Sequence, residues 1–189
     1  FDEIEVNLSS ATAVTGLQLT PISAKCQGRN DGSIIAIMDA PTIGVNDNPT
    51  YKYSIDGVNF QESNVFLGLS AGTYTVEVIS GRGCVARATT IVAEPASITV
   101  SSPIVKPFSC ISDNNFNYAT ISVGDISGGS ASYTQFEFLK NNHRVQFGAS
   151  TTYIESDLSG GKYSVVVFDT NGCSGYSSEV TLDPFVALE

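Results

Sequence analysis

Residues 69–84 read LSAGTYTVEVISGRGC, and residues 158–173 read LSGGKYSVVVFDTNGC. Leu69 and Leu158, Tyr74 and Tyr163, Cys84 and Cys173, and Pro95 and Pro184 are each separated by 89 positions, and a constant offset over so many landmarks marks a duplication. A unit of about 90 residues is longer than a solenoid repeat and matches one small immunoglobulin-sized sandwich. The 189-residue chain is therefore expected to hold two tandem domains, residues 14–95 and 96–187. Residues 1–13 are expected to be an end strand of a preceding repeat or a linker.

Working outward, "TYTVEV" and "KYSVVVF" are the clearest strands of each copy. "GSIIAIM" from Gly32 and "YATISV" from Tyr118 are short and β-branched, which favours core strands over helices. "YKYSIDGVNF" from Tyr51 predicts a hairpin bending at Asp56–Gly57, and "QFEFLKNNHRVQF" from Gln135 predicts one bending at Asn141–Asn142. "IEVNL" from Ile4, "TTIV" from Thr89 and "EVTL" from Glu179 read as end strands, and "LQLT" from Leu17 and "SITV" from Ser97 as opening strands. The fold class is all-β: two tandem immunoglobulin-like antiparallel β-sandwiches. In Leu-x-x-Gly-x-Tyr, Gly72 and Gly161 are expected to allow a sharp corner, with Leu69 and Leu158 plugging the core beneath it. Tyr74 and Tyr163 occupy the place of a tyrosine corner, with the hydroxyl bonded back to the preceding loop.

Four Cys fall two per copy, Cys26 with Cys84 and Cys110 with Cys173. Three pairings are open to four Cys, and this one lets each repeat close on itself with one intradomain disulfide. Four buried thiols are the alternative. Disulfides persist in oxidising compartments, so export is expected. Zinc is disfavoured, since there is no CxxC pair and only one His.

The formal charge of -10 is shared evenly, with 5 basic and 10 acidic groups in residues 1–96 and 4 and 9 in residues 97–189. Neither half offers the Lys and Arg that displace counterions from phosphates, so nucleic acid and anionic lipid are poor partners. No run of 18 apolar residues appears, so direct membrane insertion is not expected. Phe1 reads as a cut inside a longer polypeptide and Leu188–Glu189 as an expression scar, the fragment itself being monomeric.

Catalytic readings fare poorly. "GLSAG" at 68–72 fits the G-x-S-x-G nucleophile elbow, but an elbow needs a helix after Ser70, where a strand is expected, and the sister copy reads "DLSGG". The one His, His143, falls in a hairpin of the other copy. Acidic residues such as Asp31, Asp56 and Asp169 sit at turns, where Asp is ordinary turn chemistry rather than half of a glycosidase pair. Asp39, Asp47 and Asn48 are weak calcium candidates, offering oxygen ligands without the spacing of an EF-hand. No cofactor is otherwise expected. A carbohydrate-binding or other ligand-binding module is the rival class, with its site on the variable loops of residues 39–50, since Trp, the usual aromatic platform for sugars, is absent.

The order of "CQGRNDGSI" from Cys26, "YKYSIDGVNFQESNVFLGLSAGTYTVEV", "GRGC" and "EP" resembles the SprB repeat of gliding-motility adhesins on Bacteroidota cell surfaces, over about residues 20–95. The second copy is similar through "LSGGKYSVVVFDTNGC" and Asp183–Pro184, but its opening "CISDNNFNYATI" departs, with Asn115, Phe116 and Asn117 where Asp-Gly-Ser is expected. The resemblance implies a large repetitive protein, exported by the type IX route, held at the outer membrane and moved by the gliding machinery. It implies no enzyme activity. Its partners would be neighbouring repeats of the same chain and an extracellular polysaccharide or solid surface.

Overall fold

A computed structural model describes residues 16–39, 50–81, 83–111 and 115–186. Among these there is no helix, and the chain divides into two compact units. The first comprises the described residues through Ala24 together with Gly28–Glu94, and the second comprises Lys25–Gln27 with the described residues from Pro95 onward. The end strand expected at "IEVNL" lies outside the described residues.

In the first unit, β1 (Leu17–Ile22), β2 (Gly32–Met38) and β4 (Val65–Leu69) form one sheet, while β3 (Tyr51–Ser54), β5 (Gly72–Ser80) and β6 (Val85–Val92) form another. All pairings are antiparallel. The period of two along each strand decides what is buried. Ile34, Ala36 and Phe66 from one sheet meet Tyr53, Val76, Val78 and Val92 from the other in a single core, which is the arrangement of a β-sandwich.

The second unit has more, shorter strands. In order they are β7 (Thr99–Val100), β8 (Ile104–Lys106), β9 (Ser109–Cys110), β10 (Phe116–Asn117), β11 (Ala119–Ser122), β12 (Ile126–Ser127), β13 (Tyr133–Lys140), β14 (His143–Gly148), β15 (Thr152–Glu155), β16 (Gly161–Asp169), β17 (Ser174–Tyr176) and β18 (Val180–Leu182). One sheet runs β15-β11-β8, and the largest runs β14-β13-β16-β17 with β18 also on β16. Ala119 and Ile121 of the first face Phe136, Phe138, Tyr163, Val165, Val167 and Leu182 of the second across one core. Each fully buried Val or Phe contributes about 1.5–3 kcal/mol relative to exposure, so alternation along β13 and β16 is a strong determinant of register.

The two expected hairpins form differently. β13 and β14 pair through a bend at Asn141 and Asn142, whose φ values of 49° and 65° are those a tight primed turn requires. At Asp56–Gly57 only one bridge forms, Tyr53 with Gln61. The side chains there take the backbone donors instead: Asp56 Oδ1 accepts from the Val58 and Asn59 N–H groups at 2.9 and 2.8 Å, and Ser54 Oγ accepts from Gly57 N–H at 2.9 Å. Local side-chain bonds of this kind compete with a ladder.

The corner glycines also differ between copies. Gly161 has φ +150°, and the preceding Gly160 has φ +68° with only 2.3 Å from a would-be Cβ to the Leu182 carbonyl oxygen. Gly72 has no positive φ, and an added Cβ there meets nothing nearer than Tyr74 at 3.7 Å. The expected glycine corner is thus found at Gly160 and Gly161, while the backbone at Gly72 lies outside the positive-φ region. Gly160→Ala is expected to cost about 3 kcal/mol through strain and a backbone clash, whereas Gly72→Ala stays within about 0.5 kcal/mol of wild type. Urea unfolding of the two variants side by side checks this.

Candidate functional site

The corner motif places its tyrosines on different partners. Tyr74 is half-buried, and its hydroxyl donates to the Ser70 carbonyl oxygen at 3.0 Å. Tyr163 is fully buried, and its hydroxyl donates to Glu155 Oε2 at the end of β15. Leu69 packs on the first core, and the Leu158 carbonyl accepts from Phe185 N–H at 2.9 Å. Ser70 stands between two strands, β4 and β5, with its hydroxyl 3.2 Å from that of Tyr74, while His143 opens β14 in the second unit.

Around Tyr163 lies a polar cluster that sequence patterns do not announce. Lys140 Nζ stands 3.1 Å from Glu155 Oε2 and 2.8 Å from Asp157 Oδ2, and Glu155 Oε1 accepts from the Asp157 N–H at 2.6 Å. Burial alone pushes the Glu155 carboxyl up, but the Tyr163 hydroxyl, the Asp157 N–H and Lys140 together hold it below its ordinary value. Burial likewise disfavours charge on Lys140, and its bonds to Asp157 and Glu155 outweigh that and raise its pKa. Tyr163 is raised, first by burial and then by the Glu155 carboxylate. Asp157 is held low, chiefly by Lys140 and then by the Ser159 N–H. Every group is stabilised in the form it already has at neutral pH. None is poised to exchange a proton there, which is the opposite of what a general acid or base needs.

A second carboxylate serves as a backbone hub. Asp169 is 3% exposed, with Oδ1 accepting from the Asn171 and Cys173 N–H groups at 2.9 Å each and Oδ2 from Ser130 N–H at 2.8 Å. Burial opposes its ionisation, and the N–H donors of Ser130, Cys173 and Asn171 prevail and lower its pKa. Asp56 is held low in the same way, first by the Asn59 side chain and N–H and then by Val58 N–H and Ser54. The turn reading of these acids rests on geometry that is now explicit.

The Cys pairing departs from expectation. Cys26 is bonded to Cys173, and Cys84 and Cys110 are free. The expected pairs Cys26–Cys84 and Cys110–Cys173 are therefore corrected. The reason lies in the tripeptide Lys25–Gln27, which belongs to the second unit. Its flanks are held elsewhere: Ala24 N–H donates to the Ala93 carbonyl at 2.9 Å, and Gly28 N–H donates to Glu94 Oε2 at 2.6 Å. Between these ties the tripeptide loops out. Cys26 is buried with Ile98 and Cys173, with Val100, Ile126 and Tyr133 packed around them, and Asn171 Nδ2 donates to the Lys25 carbonyl at 3.4 Å.

The outer face of the large sheet carries exposed aromatic rings that could form a binding platform. Cross-strand pairing lines up Phe147, Glu137, Val166 and Tyr176 on one face. Phe168 shares that face two residues along β16 and meets Phe147 edge-on, the centroids 6.0 Å apart. Phe147 and Tyr176 are 48% and 70% exposed, and the Arg144 guanidinium lies 5.8 Å from the Phe147 ring centroid. The signal in the sequence was the parity opposite to the core in "SVVVF", "VQF" and "SGY". Of the calcium candidates, Asp47 and Asn48 lie outside the described residues. Asp39 follows β2 and accepts a long 3.5 Å bond from Gln18 Nε2.

No family model and no curated protein matches the chain. Among solved structures it is similar to the fibronectin(III)-like modules of Clostridium thermocellum CbhA, at 10% identity over 88% of this chain and 94% of that chain, with a TM-score of 0.33. It is similar to three N-terminal domains of the bacteriophage RB49 highly immunogenic outer capsid protein, at 12% identity over 88% of this chain and 58% of that one, with a TM-score of 0.48. A third likeness is to a C-terminal 282-residue fragment of intimin in complex with the intimin-binding domain of its translocated receptor, at 10% identity over 91% and 64%, with a TM-score of 0.38. The chain thus spans less than two thirds of the capsid-protein and intimin structures.

Proposed function

We propose that the chain is a non-catalytic segment of a large exported cell-surface adhesin of the SprB-repeat type, serving gliding motility and surface attachment as a structural and adhesive module. The observation that carries this reading is that the acids whose pKa is lowered, Asp56, Glu155, Asp157 and Asp169, are all engaged in closing turns and corners. A disulfide within the second unit supports an oxidising, extracellular location. In this reading the protein is held at the outer membrane after type IX export, and neighbouring repeats and a polysaccharide or solid surface are its partners. Beads coated with the chain should hold to glass or to extracellular polysaccharide under flow. Retention no better than on beads coated with an unrelated acidic β-sandwich would remove the adhesive role.

A second reading, a carbohydrate-binding module, is favoured by the Phe147–Phe168–Tyr176 face, because sugar rings stack on exposed aromatic platforms. Phe147→Ala and Tyr176→Ala leave the core untouched. For a carbohydrate-binding module, saturable binding on a glycan array is expected to drop at least about ten-fold in either variant, the loss of about 1.4 kcal/mol of contact.

A further inference from the structure

The 89-residue offset makes Cys84 the counterpart of Cys173, and the structure repeats the turn around each. In the first unit the Ser80 N–H donates to the Cys84 carbonyl at 2.9 Å, the Gly83 N–H donates to the Ser80 carbonyl at 2.8 Å, and Cys84 N–H donates to Ser80 Oγ at 3.1 Å. In the second, Asp169 takes the place of Ser80: its N–H donates to the Cys173 carbonyl at 3.0 Å, Gly172 N–H donates to the Asp169 carbonyl at 3.0 Å, and Cys173 N–H donates to Asp169 Oδ1 at 2.9 Å. Gly83 and Gly172 have φ values of 81° and 78°. The two sulfurs are thus presented by one turn built twice, β5 to β6 and β16 to β17.

What differs is occupancy. The turn of the second unit holds Cys26, the first cysteine of the other repeat, on the tripeptide Lys25–Gln27. Among the described residues, no such tripeptide joins the first unit, and Cys84 is free. Cys110, the first cysteine of the second repeat and so the counterpart of Cys26, is also free and is exposed. The bond that exists therefore follows a rule, first cysteine of one repeat to last cysteine of the next, and it leaves one unfilled acceptor and one undelivered donor.

We propose that Cys84 and Cys110 are the two open ends of a head-to-tail disulfide series, in which Cys110 of one copy of this chain bonds to Cys84 of a second copy as Cys26 bonds to Cys173. The step is an oxidation: two thiols lose two protons and two electrons as the new S–S bond forms. A low-molecular-weight disulfide such as oxidised glutathione accepts them and leaves as two thiols, by way of a mixed disulfide. The inference stands apart from the adhesive reading, because it concerns how copies join and not what they hold.

The test uses the full chain with Cys26–Cys173 intact, incubated in a glutathione redox buffer and resolved by non-reducing electrophoresis. Dimers, trimers and longer species are expected, with mass spectrometry finding the new link between tryptic peptide 83–87 and the peptide that carries Cys110. Cys84→Ser and Cys110→Ser should each stay monomeric. Mixed together they should give dimers with complete loss of trimers and larger species. Cys84→Ala repeats the first variant without a new hydroxyl, and matching thermal unfolding of all variants shows that the fold is kept. Links joining Cys84 to Cys84 or Cys110 to Cys110 as often as to each other, a bond from Cys84 to Cys110 within one chain, or a chain that stays monomeric would each overturn the proposal.

Discussion

Pulled from its two ends without reductant, the chain should lengthen by only a small part of its contour. The Cys26–Cys173 bond spans 147 residues, which lie outside the path of the force while the bond holds. At about 3.6 Å per extended residue, adding reductant should release about 500 Å of further extension on single-molecule stretching. The thermodynamic side of the same prediction is large as well. Closing a loop of this length restricts the unfolded chain, and in the chain-entropy treatment its loss costs about 5 kcal/mol, and less where the first unit stays folded within the loop. Cys173→Ser followed by urea unfolding should show this as a collapse of the second unit's midpoint. A full-length extension without reductant would mean that the bond does not close this loop.

The second large effect concerns Glu155. It is 2% exposed and accepts from Tyr163, which is itself fully buried. Glu155→Ala leaves the Tyr163 hydroxyl without its acceptor and takes from Lys140 one of two carboxylates, a loss of about 3 kcal/mol in stability. Tyr163→Phe removes one charge-assisted bond and keeps the ring, and about 1.5–3 kcal/mol is expected. The pH dependence follows from the directions of the shifts. Glu155 and Asp169 are held below the ordinary carboxylate range in the folded state, so their contributions are complete above about pH 4 and fade as the pH falls through the depressed values. Tyr163 and Lys140 are raised, so theirs are complete below about pH 10 and fade as the pH climbs past the raised values. Glu155→Gln should flatten the acid limb of a stability–pH profile. A variant whose acid limb matches wild type would show that the carboxylate is not charged in the fold.

Much of this architecture was legible in the residues. Alternation in "KYSVVVF" put Tyr163, Val165 and Val167 into the core of the second unit, and Asn141–Asn142 fixed the β13–β14 register because few residues tolerate positive φ at two successive positions. Asp56–Gly57 carried a similar signal and produced a side-chain-bonded turn, since Ser54 and Asp56 supply acceptors that compete with a second strand. Gly72 and Gly161 look alike in sequence, yet the strain falls at Gly160 and Gly161, and the position matching Gly160 is Ala71 in the first copy.

The disulfide is the instructive miss. Spacing shows that each repeat carries a first and a last cysteine, but self-closure and exchange between repeats satisfy the same count. What decides is the pair of backbone ties at Ala24 and Gly28, which turn Lys25–Gln27 outward, and neither leaves a pattern in the sequence. Glu155 was equally hidden. A lone acid before a corner is ordinary turn chemistry until the fold brings Lys140 and Tyr163 beside it.

Which sulfur Cys26 holds decides whether each repeat is closed on itself, and peptide mapping reads this directly. Free thiols are alkylated, the unreduced chain is cut with trypsin, and the fragments are weighed. The expected product joins residues 26–29 to residues 163–189, with alkyl groups on Cys84 and Cys110. A product joining residues 26–29 to residues 83–87 would contradict it, because each repeat would then be closed on itself.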